Sequence, residues 1–183
     1  MSQDNPDIRQ QVEASRGPLK KLQLLVPGLR GYRKLEDLRV SDQMLRNQVA
    51  DRLDRVKDNL QQLRKQVASA NDLTNLTVVG SLISQLQALS GEVRHAQQGY
   101  SGWVAPIAIN DDKLNRLYDY DYTFVSSVFQ LDEATAPGKL VYDSAAPNSV
   151  QVSVGQLSRT VAEVRQKWSA RMEAIEGIAV QGG

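Results

Sequence analysis

From Arg33 to about Ser69 the chain has no glycine or proline, and its apolar residues follow one order. Val49, Leu53, Val56, Leu60, Leu63 and Val67 recur at alternating spacings of four and three. That seven-residue repeat places them on one narrow seam of a helix, as in a coiled coil. Leu38 and Leu45 carry the stripe toward the N-terminus, with Asp42 interrupting it. A helix of about 37 residues is about 55 Å long at ~1.5 Å per residue, too long for a compact globule and in need of partners along its length. Its outer positions hold pairs such as Asp51 with Arg55, four apart and worth about 0.2–0.5 kcal/mol.

Other segments repeat the helical pattern. Leu76, Val79, Ile83, Leu86, Leu89, Val93 and Ala96 form a second stripe after the breakers and capping groups of "SANDLTNLT". Gly80, Ser84, Ala88 and Gly91 are small and predict a close approach to a neighbouring helix. A third helix is predicted from a cap at Asn110 to about Ala134, with Leu114, Leu117, Val125 and Val128 inward. A fourth runs through Leu157, Val161, Val164, Trp168, Met172 and Ile175. Upstream, Pro27 and Gly28 mark a turn, and Pro18 opens a short piece carrying Leu19, Leu22 and Leu25. The runs "KLVYD" and "SVQVSV" alternate in the strand manner, so residues 136–156 read as an irregular loop or small hairpin. The ends, 1–17 and 177–183, read as frayed.

These elements predict one all-α domain over 1–183: an elongated antiparallel helical bundle built on one long, coiled-coil-like helix. No apolar run approaches the roughly 18 residues that span a bilayer. The polar opening "MSQDNPDIRQQ" has no apolar core of a secretory signal, and the expected location is cytoplasmic.

Composition narrows the chemistry. The 183 residues include no cysteine and one histidine, His95. Thiolate sites, disulfides and histidine clusters within one chain are therefore excluded, leaving carboxylates and hard cations such as magnesium or calcium. No phosphate-binding, dinucleotide-binding or serine-nucleophile motif occurs. No cofactor is expected, and catalysis is less expected than binding. The net charge of +1 hides a basic first segment: residues 1–70 hold 14 Lys/Arg against 9 Asp/Glu, whereas 71–156 hold 4 against 9. Opposite charge on successive segments suits folding against each other. Its alternative is a basic surface for an anionic membrane or nucleic acid, centred on the turn 20–39.

Three places join polar groups to the core or to aromatic loops. "NDDKLNRLYDYDYTF" packs four aspartates and three tyrosines into fifteen residues, Asn110–Phe124. On a helix this cluster disperses. Asp111 and Asp112 suit the positive end of the dipole, Asp119 points elsewhere, and Asp121 alone falls on the apolar stripe beside Tyr118 and Tyr122. A carboxylate there must be paired, hydrogen-bonded, protonated or hydrated, and Asp42 has the same property on the long helix. Together they form a polar core pair, read either as partners of arginine or tyrosine or as a divalent-ion site. Glu92 and His95 have the spacing of a bundle dimetal motif, but it occurs once and His95 falls on the outer face. The basic turn, with Lys20, Lys21, Arg30, Arg33, Lys34 and Arg39, and the loop "GYSGWVAPIAIN" contribute a candidate binding set of Arg30, Arg33, Lys34, Tyr32, Tyr100 and Trp103.

The segment "PGLRGYRKLEDLRVSDQMLR" carries Pro27, Gly28, Arg30, Gly31, Tyr32, Glu36, Arg39, Asp42, Leu45 and Arg46 in one spacing. With "GYSGW" (Gly99–Trp103) and "DDKLNRLYDYD" (Asp111–Asp121), it resembles a loose group of uncharacterised prokaryotic helical proteins. The resemblance covers three patches and leaves out Ala136–Gly155. It implies a helical fold and a shared design around Asp42, Tyr32, Tyr100 and Asp121, and it transfers no activity. The functional expectation is a non-catalytic interaction or scaffolding module engaging a protein partner or itself. The alternatives are the anionic-surface adaptor and a small-ligand or divalent-ion site near Asp42 and Asp121.

Overall fold

The computed structural model describes residues 17–29, 35–96 and 111–180. Among these residues there are five helices and no strand: α1 Pro18–Leu25, α2 Leu35–Ser69, α3 Leu73–His95, α4 Asp111–Ala134 and α5 Asn148–Val180. The fold is an all-α bundle, and none of its described helices is long and apolar enough to cross a membrane. The long helix has 35 residues, about 52 Å at ~1.5 Å each.

Helix α2 packs against α3 and α4, α5 packs against the same two, and α1 lies on α4. Side-chain contacts fix the directions. Arg52 and Arg55 of α2 reach Asp132 of α4, while Arg171 of α5 touches Asp42 of α2 and Asp121 of α4. Helices α2 and α4 therefore run the same way. Glu92 meets Arg165, and Asn75 meets the Pro147 carbonyl, so α3 and α5 run together in the opposite direction. Successive main helices alternate, and each has one antiparallel and one parallel neighbour.

The predicted seam supplies the core. Val49, Leu53, Val56, Leu60, Leu63 and Val67 are all buried, as are Val79, Ile83, Leu86, Leu89 and Val93 across from them. Each such side chain contributes about 1.5–3 kcal/mol by leaving water. The α2–α3 turn is tight because Asn71 takes a positive φ of 55° and Asp72 caps α3, accepting from the Asn75 amide. That bond leads the causes holding the Asp72 carboxyl below its usual range. Gly28, at φ 84°, turns the chain between α1 and α2 against the Met44 side chain. The turn is pinned by Gln48, which donates to the Pro27 carbonyl.

Three expectations are corrected. Residues 148–156 are not a hairpin but the first turns of α5: Val150 and Val154 sit four apart on its buried side, and Val152 between them is exposed. Alternate valines fit both periods, and the helical one wins because α5 continues its four-three spacing through Leu157 and Val161. Gly80 and Gly91 do not mediate a close approach, since a Cβ on either would meet nothing within 4 Å. Asp51 and Arg55 do not pair along α2. Asp51 binds Arg94 of α3 and Arg55 binds Asp132 of α4, because neighbouring helices offer partners on each side.

Candidate functional site

At one end of the bundle four charges lie in a single buried layer. Arg171 on α5 is fully buried and forks between two helices: its Nε donates to Asp121 Oδ1 at 2.5 Å and its Nη2 to Asp42 Oδ1 at 2.6 Å. The second Asp42 oxygen accepts from Arg46 Nε at 2.9 Å. Arg46 in turn donates from Nη1 to the Ala96 carbonyl at the end of α3, 2.7 Å away, and from Nη2 to Gln43. Two arginines and two aspartates thus join all four main helices at one level. Trp168 lies beside them, its ring 5.4 Å from the Arg171 guanidinium and 5.3 Å from the Phe124 ring.

Local sequence explains why these groups face inward. Val150, Val154, Leu157, Val161, Val164, Trp168, Arg171 and Ile175 form an unbroken four-three series on α5. Arg171 occupies a seam position of the repeat, as Asp42 and Arg46 do on α2 and Asp121 on α4. Desolvating four ions is costly, and only bonds of this quality offset it. The arrangement is chemically closed. Each aspartate accepts a hydrogen bond from a guanidinium, Asp121 from Arg171 and Asp42 from both Arg171 and Arg46.

The layer brings Asp42 and Asp121 together through Arg171, the residue that sequence reasoning missed. Its signal was available: the series 164, 168, 171, 175 preserves the repeat, whereas a stripe of apolar residues alone takes Met172 and breaks it. Asp119 and Tyr120 are exposed, Tyr118 is buried and Tyr122 partly so, which disperses the acidic cluster as its spacing predicts. His95 is exposed, and Glu92 pairs with Arg165. Lys20 is exposed, and Lys21 and Arg39 are partly buried. Arg30, Tyr32, Arg33, Lys34, Tyr100 and Trp103 lie outside the described residues, as do Asn110 and the side chains of Asp111 and Asp112. Among the described residues, no group of three or more His, Asp or Glu is placed to hold a metal ion.

Two further polar sites lie higher on the bundle. An open groove of about 450 Å³ runs between α2 and the end of α4, lined by Arg52, Arg55, Phe129, Asp132, Glu133 and Pro137 among others. The Arg52 guanidinium lies 3.3 Å from the centre of the Phe129 ring, and Arg52 and Arg55 share Asp132 Oδ2 at 2.9 and 3.0 Å. Between α2 and α3, burial alone would raise the Asp54 carboxyl. Hydrogen bonds from Lys57, Ser90 and Arg94 outweigh it and leave the group below its ordinary value. Comparison of the chain with protein-family models, curated proteins and solved structures finds no match in any of the three.

Proposed function

We propose that the protein is a non-catalytic helical interaction or scaffolding module that engages a protein partner or a second copy of itself. One observation carries the reading: Arg171 lies between Asp42 and Asp121, whose side chains are only 4% and 0% exposed. The interior carboxylates that would serve as an ion site or a base are committed to holding helices together, so recognition falls to the outer faces of the bundle. A divalent ion there would have to displace a guanidinium bonded to two helices.

Fluorescence-detected sedimentation of the labelled chain in native lysate tests this. Mass above that of the 20.3 kDa chain is the expected result, and a monomer under those conditions refutes it. A rise in melting temperature with magnesium or calcium would favour the ion site instead. Salt-sensitive sedimentation with anionic vesicles would favour the adaptor reading, whose Arg30, Arg33 and Lys34 lie outside the described residues.

A further inference from the structure

Residues 136–147 join α4 to α5 across the end of the bundle opposite the buried charges. Pro137 stops α4 from continuing, and Gly138, at φ 85°, turns the chain away. Most of the segment is exposed; Leu140 and Tyr142 reach inward and pack, partly buried, against the core. A cavity of about 50 Å³ lies between Leu140 and Val141 of the segment and Leu63, Val150 and Ser153 of α2 and α5. Among the described residues, three hydrogen bonds tie the segment to other parts of the bundle. The Tyr142 amide donates to Gln66 Oε1 at 2.9 Å, the Tyr142 hydroxyl to Asp72 Oδ2 at 3.1 Å, and Asn75 Nδ2 to the Pro147 carbonyl at 3.0 Å. Gln66, Asp72 and Asn75 all belong to the corner between α2 and α3.

Asp72 divides its two oxygens between two tasks. Oδ1 accepts from the Asn75 amide and caps α3. Oδ2 accepts from the Tyr142 hydroxyl and from Asn75 Nδ2, the latter at 2.6 Å, and that same Nδ2 reaches Pro147. One carboxylate oxygen therefore holds the middle of the segment directly and its α5 end through Asn75.

We infer that residues 136–147 form a strap, latched by Asp72 Oδ2, that opens as a unit over this cavity while Oδ1 keeps α3 capped. Segments with few buried apolar contacts and exposed bonds open at lower free energy than a helical core. Here two of the three bonds depend on one acceptor, so its loss frees Tyr142 and releases the hold on Asn75 together. Opening carries Leu140 off the cavity and uncovers Leu63 and Val150, which are 2% and 3% exposed when the strap is closed. The device goes beyond the interaction-module reading and stands whether or not the outer faces engage a partner.

Residue-resolved hydrogen exchange of the full chain tests this. Below the unfolding transition, added urea should leave exchange at position 142 nearly constant while accelerating that of Leu60 in the core, because opening a strap exposes little new surface. A rise at 142 as steep as at Leu60 means that the segment opens only with the whole fold, and overturns the inference. Tyr142→Phe removes the hydroxyl and keeps the ring. Asp72→Ser keeps one capping oxygen and removes the counterpart of Oδ2. Each should speed exchange at 142 about three- to tenfold, the effect of one lost hydrogen bond. Ser69→Ala removes a hydroxyl bonded within the same corner but not to the strap, and should leave that rate within about twofold. A rate at 142 unaltered by both latch variants overturns the latch, and an equal rise with Ser69→Ala overturns its assignment to Asp72.

Discussion

Replacing Arg171 by methionine is the sharpest test of how the bundle is held. The side chain is fully buried and donates two short bonds, at 2.5 and 2.6 Å, to carboxylates on two different helices. Bonds to charged groups contribute about 1.5–3 kcal/mol each, and removing one member of a buried ion network costs about 3–5 kcal/mol. Asp42 keeps its bond from Arg46, so the damage falls mainly on Asp121, itself fully buried. Against a total stability of about 5–15 kcal/mol, the loss is large. With each kcal/mol moving the midpoint about 2–4 °C at this size, Arg171→Met should melt roughly 6–20 °C below the parent. The double variant Asp121→Leu/Arg171→Met removes one charge of each sign and leaves Asp42 with Arg46. It should return to within about 1 kcal/mol of the parent, because apolar replacement of a buried pair is often neutral or stabilising. Urea denaturation of the four members of this cycle gives the coupling, expected to exceed about 2 kcal/mol. An Arg171→Met loss below about 1 kcal/mol, or single effects that simply add, would refute the account of the layer.

Three further outcomes are expected. Asp72→Ala should destabilise the protein at neutral pH by removing the α3 cap. The Asp72 carboxyl sits below its ordinary value, chiefly through the Asn75 amide. Its contribution is therefore present above the unfolded value and lost as pH falls through the lower folded one. Thermal melts of parent and variant should converge below about pH 4, and a constant gap down to pH 2 would contradict this. Gly80→Ala and Gly155→Ala add a methyl to open space in helices and should each gain about 0.5–1 kcal/mol in urea denaturation, whereas Gly138→Ala, at φ 85°, should lose a comparable amount. Arg55→Ala, at a half-exposed ion pair, should change stability by less than about 0.5 kcal/mol. Arg52→Ala should cost about 1 kcal/mol more than that because it also removes the contact with Phe129.

What the sequence made legible here, and what it concealed, have one physical origin. A seven-residue repeat fixes which residues share a helix face, so the seam of α2, the core side of α3 and the exposure of Asp119 and His95 could be read directly. It does not fix which face meets which neighbour. Arg171 and Asp42 lie 129 positions apart, and Arg171 and Asp121 lie 50 apart; no local rule joins them. Reading seams as apolar only also hid the arginine, although the unbroken series through 164, 168, 171 and 175 contained it. Apolar repeats alone leave a further ambiguity, because sliding one helix by seven residues preserves every apolar contact class. The charged layer removes it. Shifting α5 by one repeat would carry Arg171 away from Asp42 and Asp121 and break both of its buried bonds, at a cost of several kcal/mol. A single polar position that sets register is a known device of helical seams. Here two aspartates and two arginines share that role.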